Sequence, residues 1–427
     1  MSAADLETVF TYAAPPLKFG AGASDEIGHD LAALGVTRVL VITDPGVAAT
    51  GIPHRVADGI RRYGMSAQVY DGVEVEPTDE SLRRAVDDAR ASGPWDAFVA
   101  VGGGSSIDTA KAVNLLTSCD GELLDYINVP IGAGRAPSRP LKPLVAVPTT
   151  SGTGSESTAV CVLDVLSLRL KTGISHPRLR PSLAVVDPLL TLTLPPEVTA
   201  ASGMDILCHA LESFTAKPFD QFPARRPQDR VSYCGANPVG DVWARTALSL
   251  LAQSFRRAVQ HGQDDVAART DMVMAATFAG MGFGNAGVHI PHANGYPIAG
   301  RVGDYRPPGY PQDHPLVPHG ISVVLTAPEV FRFTFSARPQ RHIEAASLLA
   351  PSMDRPAQDA DYLPAAITEL SRDLGIPNGI GAVGYGEGDV NDLVDGAMRQ
   401  QRLLALAPRE ITAEDLAGVF ERSISNW

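Results

Sequence analysis

Residues 96–116, DAFVAVGGGSSIDTAKAVNLL, decide how the first half of the chain is read. Residues 96–101 are a short apolar run of the kind a buried parallel strand requires. Gly102, Gly103 and Gly104 then let the backbone turn sharply and approach a ligand closely. A helix follows through Leu116, opened by Ser105 and Ser106, and Ser105 with Asp108 fits a capping box. A helix start offers unsatisfied N–H groups and the positive end of a dipole to an anion. The bland alternative is a glycine-rich turn with a good cap. The motif is not GxGxxG and follows the third strand instead of the first, so an ordinary Rossmann assignment is wrong in detail.

Working outward, strands are expected at residues 38–42, 67–70 and 144–147, with helices at about 53–63 and from Thr78 to about 91. Strand–helix alternation of this kind builds a parallel sheet covered by helices, whose ligands bind beyond the carboxyl ends of the strands. The strand at 144–147 runs into PTTSGTGSE, residues 148–156, a small, hydroxyl-rich loop containing Thr149, Thr150, Ser151 and Gly154. Two such loops at neighbouring strand ends can grip a dinucleotide from both sides. Asp44 ends the first of these strands, where a carboxylate can accept from ribose hydroxyls and repel a 2′-phosphate, favouring NAD over NADP; it reads equally well as a turn residue before Pro45.

Near Leu194-Pro195-Pro196 the pattern changes to helical periodicity, so the expected domains are 1–193, α/β and dinucleotide-binding, and 194–427, all-helical and metal-binding. In MDILCHALESF, residues 204–214, Met204, Leu207, Leu211 and Phe214 share one helix face. Asp205 and His209 stand one turn apart on the opposite face, a spacing that lets both reach one ion, although such a pair is usually just solvated. Four of the ten histidines fall in Gly- and Pro-rich sequence: His289, His292, His314 and His319. His289 and His314 fit best as loop or cap residues. One carboxylate with neutral imidazoles suits Fe(II) or Zn(II), either of which polarises an alcohol or carbonyl oxygen.

The 427 residues are 44% hydrophobic and 19% charged, with a net charge of −13. That balance suits a two-domain globular enzyme and gives no hint of the basic face a nucleic-acid binder carries. No stretch reaches the ~18 apolar residues of a membrane span. Four cysteines without a CxxC pair read as reduced core thiols. The start, MSAADLETVF, has neither a basic region nor an apolar run, so a cytoplasmic protein is the default expectation.

Together GGGSSIDTAK, VPTTSGTGSE, MDILCHALE, the His292–Tyr296 pair and PHG resemble the iron-containing alcohol dehydrogenase family, over about residues 16–416. The resemblance implies a dehydroquinate synthase-like fold, α/β plus all-α. It makes Asp205, His209, His292 and His319 the ligands of a divalent metal, Fe(II) first and Zn(II) as the alternative, and it adds Lys171 to the NAD contacts. It also makes these metal ligands and Tyr296 the catalytic set. Ordinary members carry HxxxH where this chain has His292 and Tyr296. KTGISHPRLRPSLAVVDP (171–188), the 287–300 and 313–331 segments, an extra stretch at 225–241 and a longer loop between His292 and His319 look like the hydroxyacid-oxoacid transhydrogenase branch. Enzymes of that branch pass hydride from 4-hydroxybutyrate to 2-oxoglutarate through one tightly held NAD. Both substrates carry a carboxylate, and the candidate cations are Arg178, Arg225, Arg226, Arg230, Arg301 and Arg306. The alternatives are an NAD-dependent dehydrogenase of simple alcohols, a non-redox synthase on the same fold, or a nucleotide-binding protein without catalysis. Expected partners are small-molecule substrates and further copies of the chain, as a homodimer or larger, with no nucleic acid and no membrane.

Overall fold

The computed structural model describes residues 5–168, 170–310 and 312–427. They form two compact units, one of Ala14–Thr193, the other of Leu194–Trp427 together with the N-terminal segment up to Ala13.

The first unit contains β1 (Leu17–Phe19), β2 (Arg38–Ile42), β3 (Ser66–Tyr70), β4 (Ala97–Gly102), β5 (Leu144–Pro148), β6 (Val160–Val165), β7 (Leu170–Ser175) and β8 (Leu183–Val186). Six of these make a parallel sheet in the order β1-β8-β5-β4-β2-β3, while β6 and β7 pair separately as an antiparallel hairpin. The central strands are apolar on both faces. Val39, Val41, Val99, Val101, Val145 and Val147 enter one core; Leu40, Ile42, Phe98, Ala100, Leu144 and Ala146 enter the other. A strand buried on both sides cannot alternate polar and apolar residues, which is why these runs read as continuous. Four of the sheet strands were legible in the sequence. β1, β8 and the hairpin were not, because three- and four-residue strands and a Gly-containing strand carry little periodic signal.

Strand order positions the site. The chain leaves β2 for β3 on one side and returns to β4 on the other. The carboxyl ends of β2 and β4 therefore flank the crevice in which such sheets bind ligands. Ile42 lies opposite Ala100, and Gly102 lies opposite Pro148, so the segments after β2, β4 and β5 emerge side by side.

In the second unit every described element is a helix. Its centre is the helix Pro196–Thr215, in which every residue from Gly203 to Thr215 is buried. The bland alternative of a solvated Asp205–His209 pair does not hold: both, with Glu212, lie in the interior beside Met204 and Leu207. Gly203 is required here, since a Cβ would stand 2.1 Å from the Phe255 ring. The expected first domain of 1–193 differs at its start because the N-terminal segment is stitched to the helical unit. The Glu7 N–H donates to Phe222 O at 2.9 Å, and Asn285 closes a two-way pair with the Ala13 backbone at 2.9 and 3.1 Å. Among the described residues no helix is long and apolar enough to cross a membrane.

His342 gives this unit a pH dependence. It is buried, with Nε2 3.0 Å from Thr334 Oγ1, Nδ1 2.9 Å from Arg338 O and its ring against Phe331 and Phe335. Burial pushes its pKa down to about 4. In the unfolded chain the value returns to about 6.5, so on acidification the unfolded state takes the proton first. The contribution is whole above about pH 6.5 and is lost towards pH 4, by up to about 3 kcal/mol. The melting temperature should fall over this window, and more steeply in the wild type than in His342→Gln. Parallel curves would show that this group is not responsible.

Candidate metal centre and cofactor cradle

Asp205, His209 and His292 bring one ligand atom each within 4.8 Å of one another, all three side chains buried. Asp205 and His209 are one turn apart on Pro196–Thr215, and His292 sits in the first turn of Ile290–Gly300. Asp205 Oδ1 is the focus: His209 Nε2 lies at 3.6 Å, His292 Nε2 at 3.5 Å and His319 Nε2 at 3.8 Å. Asp205 Oδ1 and His292 Nε2 have no hydrogen-bond partner. Buried polar atoms left this way are costly, and several facing one another are the arrangement a cation resolves. The donor set therefore fits a divalent ion.

His319 enters from a third direction, at the start of the helix His319–Val324, with its side chain 27% exposed. Gly320 explains the PHG motif. A Cβ there would meet Ala201 O at 2.0 Å and Asp205 N at 2.9 Å, so only glycine lets this helix lie close enough to bring His319 to Asp205. The His209 ring stacks on Phe283 with centroids 3.8 Å apart, which fixes its plane. Tyr296 lies over His319, ring centroids 6.2 Å apart.

Charge follows geometry. Burial alone would raise Asp205, but His209, His319 and His292 hold its carboxyl well below the usual range. Burial drives His209 down to about 3. His292 goes the other way, to about 9, because the Glu212 carboxylate outweighs its burial. Glu212, which sequence reasoning missed, accepts from the His292 ring at 2.6 Å and from the His289 backbone N–H at 2.6 Å. Its signal was present: it follows His209 by three residues on the same helix face. His289 contacts Thr215 Oγ1 at 3.1 Å, and the exposed His314 pairs with Asp313, so both hold structural positions.

In the α/β unit the helix Gly104–Ser118 starts with Gly103 as its N-cap and has no side-chain cap. The expected Ser105–Asp108 capping box is corrected. Ser105 Oγ accepts from the Glu76 N–H at 3.2 Å, while Asp108 accepts from the Val162 N–H at 2.9 Å and from Lys111 and Ser155. No side chain fills the helix start, which is the condition for an anion to do so. Ser106 Oγ donates to Asp44 Oδ2 at 3.2 Å, so the two predicted residues meet; Asp44 also caps its own helix through the Val47 N–H at 2.9 Å. Thr149 N–H donates to Gly102 O at 3.0 Å, Thr150 packs on Gly103, and Gly154 takes φ +59°. The buried hydroxyls of Thr43, Thr149 and Ser151 have no partner.

Two further features were not legible. Lys111 is fully buried and donates to Asp108, Ser155, Thr158 and Val160 O, at 3.1, 2.8, 3.2 and 2.6 Å, tying the loop after β5 to the helix after β4. Glu76 is the one non-glycine residue with positive φ among the described residues, at +57°, and its carboxylate with that of Asp164 pairs Lys171. Burial lowers Lys171, but these two carboxylates outweigh it and hold the ammonium charged. The candidate arginines are dispersed. Arg226 and Arg301 pair with Asp229 and Asp392, Arg230 with Glu7; Arg178 and Arg306 bind backbone carbonyls, and Arg225 rests on the Phe222 ring.

Two family models match the chain: iron-containing alcohol dehydrogenase over residues 15–188, and the Fe-containing alcohol dehydrogenase family, C-terminal, over residues 231–424. The mitochondrial hydroxyacid-oxoacid transhydrogenase of Bos taurus is 46% identical over 421 residues, 97% of this chain and 90% of that protein. A crystallised 1,3-propanediol oxidoreductase is 31% identical with a TM-score of 0.84, covering 97% of this chain and 100% of that one. A sulfoacetaldehyde reductase from Bifidobacterium kashiwanohense, solved in complex with NAD+, is 27% identical with a TM-score of 0.80, covering 98% and 99%. The mitochondrial relative overturns the expectation of a cytoplasmic protein. That expectation rested on the terminus and the composition, and compartment is written in removable leaders, not in folded units.

Gly320→Ala tests the geometry. The added methyl must push His319–Val324 off Pro196–Thr215. Bound metal should fall by about tenfold or more, the scale on which disturbed ligand support acts. NAD affinity should be unchanged. Full metal content in the folded variant would show that this close approach does not position His319.

Proposed function

The chain belongs to the iron-containing alcohol dehydrogenase family, in its hydroxyacid-oxoacid transhydrogenase branch, and on that premise we propose that it moves hydride from 4-hydroxybutyrate to 2-oxoglutarate through one retained NAD. Asp205, His209, His292 and His319 hold the metal; the family's iron-containing members favour Fe(II), and the donor set also suits Zn(II). The observation that carries this is the convergence of three buried donors on one point. When bound, the ion supplies Lewis acidity at a substrate oxygen, and the dinucleotide accepts and returns the hydride.

The chain's own residues supply the rest. The uncapped start of Gly104–Ser118, with Gly102 to Ser106, takes the pyrophosphate. Asp44, beside Ser106, accepts from the adenosine ribose, and the cradle is completed by Lys171, held by Glu76 and Asp164, and by Thr149, Thr150, Ser151 and Gly154 in the loop after β5. Tyr296 stands where ordinary members carry the second histidine of HxxxH, so a histidine proton relay is absent at that position. Transhydrogenation is proton-neutral overall: the proton released when the hydroxyacid is oxidised is held by a protein group or solvent and returned when the oxoacid is reduced. Tyr296, with its ring centroid 6.2 Å from that of His319, orients substrate or water.

Enzyme mixed with 4-hydroxybutyrate and 2-oxoglutarate, without added NAD, should form 2-hydroxyglutarate with no accumulating NADH absorbance. His209→Ala should lower that rate by about 100-fold or more, as loss of charge stabilisation does. Turnover that requires stoichiometric free NAD and ignores 2-oxoglutarate would make the protein a dehydrogenase of simple alcohols.

A further inference from the structure

We propose that Glu212 is a positioning residue for the metal centre, selecting the His292 tautomer that turns Nε2 towards Asp205 and supplying the second negative charge that neutralises a divalent ion.

Glu212 is fully buried, and both carboxylate oxygens are in use. Oε1 lies 2.6 Å from His292 Nδ1; Oε2 accepts the His289 N–H at 2.6 Å and the His292 N–H at 3.5 Å. An ionised carboxylate only accepts, so the ring atom it faces must carry a hydrogen. A histidine that ligates a metal is neutral and has one such hydrogen. With it on Nδ1, the lone pair is on Nε2, the atom 3.5 Å from Asp205 Oδ1 and without a hydrogen-bond partner. The same contacts lock the helix Ile290–Gly300 at its first turn, where a negative charge is favourable. Glu212 thus sets tautomer, ring direction and helix entry at once.

Charge counting gives it a second effect. Asp205 and Glu212 carry one negative charge each, and neutral imidazoles add none. A divalent ion leaves the buried centre neutral; without Glu212 the same centre keeps one uncompensated positive charge. Glutamine cannot substitute. Its amide offers one acceptor oxygen, so its NH2 must face either the His292 ring N–H or the His289 backbone N–H, donor against donor.

The inference rests on the metal-centred reading above, and the experiment separates the two. The full-length protein is stripped of metal and titrated with Zn(II) against a chromophoric chelator, as wild type and as Glu212→Gln, with NAD affinity and apo melting temperature measured in parallel. We expect Glu212→Gln to raise the Zn(II) dissociation constant 10- to 100-fold, the range seen when the partner of a ligating histidine is removed, with NAD affinity unchanged. A folded variant within twofold of wild type overturns the inference and leaves the metal reading standing. A wild type that does not bind Zn(II) overturns both. Should Glu212→Gln fail to fold, the wild type decides. In 15N-histidine-labelled, Zn(II)-loaded protein, His292 should carry its proton on Nδ1 with Nε2 on the metal, and the opposite tautomer overturns the inference.

Discussion

The helical unit is organised around a carboxylate that water does not reach. Asp205 is 1% exposed. An isolated buried carboxylate costs several kcal/mol in desolvation, so it persists only with compensating charge and hydrogen bonds around it. The imidazoles that face it come from three separate stretches of chain: His209 one turn on, His292 at a second helix and His319 at a third. Bringing three helices to one point requires close backbone approach, and Gly320 permits it, since a Cβ there would meet Ala201 and Asp205. The polar centre and the packing around it are therefore one constraint. Apolar residues such as Met204, Leu207 and Leu211 fill the remaining surface of the same helix and exclude the water that would otherwise screen the charges.

The α/β unit solves the complementary problem of leaving a polar site open. A helix start with unfilled N–H groups is unfavourable unless something occupies it. Here the capping residue is glycine, and the nearby polar side chains are drawn away: Ser105 to Glu76, Ser106 to Asp44, and Asp108 inward to Lys111 and Val162. The Lys111 network holds the uncapped helix and the hydroxyl-rich loop as one body. An ammonium this deep is tolerated because its hydrogens all meet acceptors. The strained backbone of Glu76 belongs to the same arrangement, since its N–H reaches Ser105 and its carboxylate reaches Lys171. Strain held at one residue between two polar contacts is typical of places where geometry serves a ligand.

Much of this was legible because local rules carried it. The valine-rich strands, the glycine turn, the Thr78 cap and the one-turn spacing of Asp205 and His209 each follow from contacts within a few residues. The capping box was misread because Asp108 satisfies a local pattern and a distant one equally well; the distant partners, Lys111, Ser155 and Val162, form a network that a local box does not offer. Glu212 was overlooked for the converse reason. On the helix it is one more acid near a histidine, and its meaning comes from a ring 80 residues away.

The sequence by itself determined that an α/β half with a glycine-rich turn after a strand precedes a helical half, and which residue types could hold a metal, because these depend on periodicity, turn chemistry and donor type. Only the tertiary structure decided which of those donors meet. It brought His209, His292 and His319 around Asp205, gave Asp108 and Lys171 their charge partners, joined the chain's start to the helical unit and placed Glu212 behind His292. The physical reason is that a buried charge is compensated by whatever the fold brings within a few ångströms, and distance along the chain does not set distance through space.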